Sequence, residues 1–171
     1  MPTFPKDVKI LNLGALNCQG LKEKVDQSTF TDLLHEFDLF GVSETWLTDG
    51  NEKEIFVSGY KFYSVNRKTT KGASRGGVGM FLKKGLKKHV KLRRDLSNEN
   101  FLWCRIAKEY LGYQDGLYVC VVYIPPKYSS RELGGKYDHF KHLGTQPPKL
   151  EAKILFSWVI SMQERKRWKT P

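Results

Sequence analysis

VKILNLGALNCQGLKEKVDQSTFTDLLHEFDLFGVSETWL (8–47) decides the architecture of this chain. Its opening, 8–18, is short and apolar, as a strand buried in a sheet must be. Residues 22–37 then place Phe30, Leu33, Leu34 and Phe37 at helical spacing. That spacing predicts an amphipathic helix with one face on the sheet. Residues 38–46 return as a second buried strand. If the two strands are parallel neighbours, Asn17 and Glu44 emerge at one edge, where α/β sheets build their sites.

Working outward, GYKFYSVNR (59–67), GGVGMFLKK (76–84), HVKLRR (89–94), FLWCRIA (101–107) and GLYVCVVYIPP (116–126) continue the strand series. Pro125 and Pro126 end the last strand, since neither can donate to a ladder. SSRELGGKYDHFKHL (129–143) reads as helical towards its end, against the Gly134-Gly135 pair. The order predicts an α/β layered sandwich. After Leu143 the character changes: 144–171 lacks a clear period of 2 or 3.6 and ends in a cationic run.

The 171 residues fit one domain and can bury a core without metal or disulfide. A hydrophobic fraction of 40% and a charged fraction of 27% exclude a disordered chain and collagen. No run approaches the ~18 apolar residues of a membrane span. The opening MPTFPKDVK has no apolar signal core, so a nuclear or cytoplasmic protein is expected, not a secreted one. Cys18, Cys104 and Cys120 lie in apolar, strand-like contexts without zinc spacing. They read as buried free thiols, with no disulfide-linked partner.

Twenty-nine Lys and Arg against 18 Asp and Glu give a net charge of +11. Such a balance suits a polyanion and equally a solvated lysine-rich surface. Much of it lies in 67–75, 83–94 and 164–169. Asn17, Glu44 and Tyr123 are an amide, a carboxylate and a phenol at strand ends. Such a set can serve a hard cation and a phosphate, because Mg²⁺ takes one or two carboxylates plus waters and phosphate oxygens. Each residue alone has a commoner use: a solvated Glu, a turn Asn, a core Tyr.

Their order is more telling. N-x-x-G-L, a helix, S-E-T-W-L, R-G-G-V-G-M-F and V-x-Y-x-P-P, over residues 8–143, resemble the endonuclease/exonuclease/phosphatase superfamily. More narrowly, they are similar to the apurinic-type endonuclease domains of non-LTR retrotransposons. The resemblance implies a four-layer α/β/β/α sandwich and a Mg²⁺-dependent phosphodiesterase acting on DNA, with Mn²⁺ able to substitute. It implies that Glu44 binds the metal, Asn17 orients the site, and Tyr123 stands near the scissile phosphate. Arg67, Lys68, Lys71 and Arg75 would face the DNA backbone. Gln19 stands where several members carry an acid. A family phosphatase and a non-catalytic nucleic-acid-binding remnant are the alternatives.

The family's Gly-Asp-Phe-Asn strand end and its Ser-Asp-His segment are both missing from the sequence. The expectation is therefore a partial sandwich lacking its C-terminal part, poor in catalysis, with 144–171 as an atypical basic tail. Read one base out of frame, the codons of SWVISMQ (157–163) permit Met-Gly-Asp-Phe-Asn-Ala. A frame change after about residue 143 would account for the loss. It would also leave an apolar sheet face open.

Overall fold

A computed structural model describes residues 9–67, 76–112, 116–124 and 154–160, the last as backbone only. Among them the chain is a mixed α/β structure of two four-stranded sheets. β1 (Leu13–Asn17), β2 (Leu39–Ser43), β3 (Tyr60–Val65) and β4 (Val78–Lys83) form the first, in the order β1-β2-β4-β3. β1 and β2 are parallel, as the strand–helix–strand opening predicts, and the other pairs are antiparallel. β5 (Val90–Leu92), β6 (Phe101–Ile106), β7 (Leu117–Ile124) and β8 (Ile154–Ile160) form the second, with β7 and β8 parallel.

The two sheets bury each other's inner faces. Leu39, Val78, Met80 and Leu82 of the first share one core with Leu102, Cys104, Ile106, Val119, Val121 and Tyr123 of the second. The approach is tightest at Gly41, where a Cβ would lie 2.8 Å from a methyl of Val121. Alternation sends Phe40, Val42 and Phe81 to the outer side of the first sheet, against Leu21, Phe30 and Leu34. Phe101, Trp103, Tyr118, Cys120 and Val122 form a buried cluster on the second sheet's outer side. Among the described residues the facing apolar side chains of the two sheets are buried. Exposed large apolar side chains among the described residues are Ile10, Leu33, Trp46 and Phe56.

Two elements differ from the sequence expectation. The helix over 22–37 is two helices, α1 (Leu21–Val25) and α2 (Ser28–His35). Gln27 turns extended, with φ −89° and ψ 124°, and lets each helix aim its own apolar residues inward. Leu33 consequently lies 38% exposed instead of on the buried face. The Tyr60 hydroxyl ties the end of α2 to β3 through the carbonyls of Leu34 and Phe37, at 2.8 and 2.7 Å. β8 is the second difference. ILFSWVI has neither period because a strand joining a parallel pair can be apolar throughout. The helix expected over 129–143 lies outside the described residues.

All three cysteines are buried free thiols. Burial pushes Cys18 and Cys104 up to about 12 and Cys120 upward as well. Two short helices, α3 (Lys84–Lys87) and α4 (Lys108–Leu111), follow β4 and β6.

Gly41→Ala is expected to lower the unfolding free energy by about 2 kcal/mol, since the added methyl overpacks the sheet interface. Val121→Ala in the same chain should recover part of that loss. Urea unfolding of the single and double variants checks it, and simple additivity would remove the steric explanation.

Candidate functional site

The parallel pairing of β1 and β2 sets Asn17 opposite Ser43, at the C-terminal end of both strands. β4 begins at the same end, with Val78 beside Ser43 and also beside Val65, the last residue of β3. Asn66 and Arg67 follow there. Tyr123, near the end of β7, packs between the sheets and brings the second sheet to this rim. Its backbone N–H donates to Asn100 O at 2.8 Å.

Glu44 meets Tyr123 across the rim. The Tyr123 hydroxyl is pushed up to about 12, first by burial, then by the Glu44 carboxylate, whose charge and hydrogen bond both favour the protonated phenol. Arg67 is close enough to oppose the effect. Its Nε also lies 3.7 Å from Glu99 Oε2.

The backbone that presents Glu44 is unusual. Gln19, Glu44 and Trp46 have φ of 47°, 53° and 54°, the left-handed region that bulky L-residues avoid. Each such residue costs on the order of 1–3 kcal/mol and persists only where neighbours hold it. On one side, Cys18 N, Gly20 N and Leu21 N donate to Ser43 O, Glu44 O and Thr45 O at 3.0, 2.9 and 3.0 Å. On the other, Trp46 N donates to Gly76 O at 3.0 Å and Thr45 N to Gly77 O at 3.4 Å. Gly77 has φ 81°, and a Cβ there would sit 2.7 Å from Thr45 Oγ1. Gly76 and Gly77 therefore serve close backbone approach to the SETW segment.

Polar atoms are stranded at this rim. Asn17 Oδ1, Ser43 Oγ and Thr45 Oγ1 are buried with no hydrogen-bond partner. Buried acceptors are normally satisfied, so an oxygen left open on the rim that carries Glu44 fits a cation or an ordered water. Asn17 Oδ1 and Glu44 offer the oxygen donors that Mg²⁺ or Mn²⁺ prefers. No group of three His, Cys, Asp or Glu gathers among the described residues. A cation here would complete its shell with waters and a ligand's phosphate oxygens.

Of the sequence-predicted residues, Glu44, Tyr123 and Arg67 are brought together, and Asn17 ends its strand at the same rim. Lys68, Lys71 and Arg75 lie outside the described residues. The basic stretch from Lys83 to Lys88 sits at the other end of β4, about 17 Å away by strand rise. Lys83 there pairs with Asp38 at 3.5 Å. Ser43, Thr45 and Trp46 were missed by sequence reasoning. Alternation along V-S-E-T-W could have flagged the two buried hydroxyls, whereas nothing in Glu or Trp announces a left-handed backbone.

No protein-family model matches this sequence, and no curated protein does. Solved structures do. One is the endonuclease domain of TRAS1, a telomere-specific non-LTR retrotransposon, with TM-score 0.48, 8% identity, 80% of this chain covered and 52% of that one. Another is the Xenopus laevis APE2 catalytic domain, with TM-score 0.46, 17% identity, and coverages of 68% and 46%. This chain spans about half the length of each. No described helix is long and apolar enough to cross a membrane.

Tyr123 keeps its proton to about pH 12 when folded, against an ordinary value of 10.0. A raised folded value means its contribution is intact below pH 10 and is lost as pH rises from about 10 to about 12. Tyr123→Phe should flatten that part of the alkaline stability loss. Glu44→Gln should lower the Tyr123 titration midpoint while leaving it above 10, as tyrosine-selective NMR titration will read. An unmoved midpoint would separate the two side chains.

Proposed function

We propose that this rim binds a divalent cation together with a phosphodiester of DNA, as a nuclease-type site with weak chemistry. The observation that carries it is the meeting of Glu44 and Tyr123 on the rim where Asn17 Oδ1 is stranded. Glu44 and Asn17 would hold the cation. A bound Mg²⁺ or Mn²⁺ would supply charge stabilisation at the phosphate oxygens. Tyr123, protonated well above neutral pH, would turn its single O–H from Glu44 to a phosphate oxygen once Glu44 takes the cation, and would not compete as an anion. Arg67 contributes positive charge to the DNA backbone, which makes affinity salt-dependent.

A second reading, a binding remnant without hydrolysis, is favoured by the register of β8. That strand sets Val159 opposite Tyr123 and Ile160 opposite Ile124, so no carboxylate-bearing residue stands at this end of it. We read 144–171 as a replaced segment, and the shifted-frame motif would have put an acid at about this register. Sequencing the transcript across 157–163 tests that origin.

Mn²⁺ is a spectroscopic probe that needs no turnover. In the presence of DNA, the chain is expected to immobilise Mn²⁺ by EPR, and Glu44→Gln to lose most of that signal. Mg²⁺-stimulated nicking of supercoiled plasmid should be slow and fall by on the order of 100-fold in Glu44→Gln. Plasmid binding with no nicking selects the remnant reading. Metal uptake indifferent to Glu44, or no DNA binding, overturns the proposal.

A further inference from the structure

Trp46 is a described rim residue whose exposed ring face the cation site does not use. Its neighbours Thr45 and Leu47 are each 1% exposed, yet Trp46 is 41% exposed. An exposed indole on a left-handed backbone carries two penalties at once, apolar surface in water and a disfavoured φ of 54°. It is nevertheless held firmly. Its N–H is tied to Gly76 O, and its six-membered ring rests on Gly20, where a Cβ would come within 3.1 Å of Cε3. Gly20 itself has φ 105° and leaves the space that the ring fills.

The consequence is a fixed aromatic surface two residues from Glu44. Such a ring loses little conformational freedom when it binds, because the fold has already ordered it. We infer that Trp46 is a stacking platform for an unpaired nucleobase, set beside the phosphate-binding rim. A base is the partner chemistry that fits. The chain carries +11, Arg67 lies on the same rim, and every base offers a π-face whatever the sequence. The substrate class then becomes DNA with a locally unpaired strand, and the inference rests on the proposed nucleic-acid reading of the rim.

A fluorescently labelled oligo-dT strand and a blunt duplex of the same length supply the test, by anisotropy with the full chain. Trp46→Asn removes the ring and suits a left-handed backbone, so it keeps the fold. Trp46→Phe keeps an aromatic ring. The Asn variant is expected to lose about tenfold in single-strand affinity and less than about twofold on the duplex. The Phe variant should recover most of the loss. A single-strand affinity unchanged in Trp46→Asn, or an equal loss on both ligands, overturns the inference and leaves the rim's DNA binding in place. A wild-type chain that binds neither ligand removes the nucleic-acid reading itself, and this inference with it.

Discussion

Backbone hydrogen bonds on both flanks of residues 43–46 hold a path that the side chains alone would not adopt. The 18–21 turn supplies donors on one side, and the glycines at 76–77 supply acceptors on the other. Between them Ser43 and Thr45 are driven inward while Glu44 and Trp46 are turned out of the strand. A straight continuation of β2 would put Glu44 on one sheet face and lose the rim. The left-handed residues are therefore what convert a strand end into a site, and two glycine-containing segments exist to permit them. Backbone strain concentrated at one place in this way is a common companion of function.

The second requirement is the spacing of the sheets. Tyr123 belongs to one sheet and Glu44 follows a strand of the other, so their meeting depends on how closely the layers approach. Gly41 against Val121 sets that approach. Burial in the resulting interface is also the largest cause of the raised Tyr123 value. Core packing and the protonation state of the site are thus one fact seen twice. A change in the interior at Gly41 would be felt at the rim without touching a polar residue.

Much of this was legible in the chain. The apolar runs of β1 and β2 and the 3.6-residue spacing between them predict a parallel pair, and the pair places Asn17 and the SETW segment at one end. The rest was hidden for physical reasons. Gln27 breaks the helix, but a glutamine is an ordinary helix former and gives no warning. ILFSWVI lacks alternation because both faces of such a strand can be covered. Positive charge is readable as a sum, yet its position is not. Lys83 to Lys88 follow β4 away from the rim, and only strand direction reveals it.

That separation has its own meaning. Charge acts over about 8–10 Å in physiological salt, so lysines at the far end of β4 cannot neutralise a phosphate at the rim. They add to the general attraction of a polyanion and to nothing more local. Among the described residues of the rim, Arg67 lies beside Glu99 and near Glu44. Among the described residues an anion there would meet two carboxylates and one guanidinium, so the proposed reading calls for a cation beside it. On that reading, the stranded oxygens that make the rim costly without a ligand would make metal and phosphate mutually dependent guests. The general attraction of a polyanion and the occupancy of the rim would, on the proposed reading, rest on different residues.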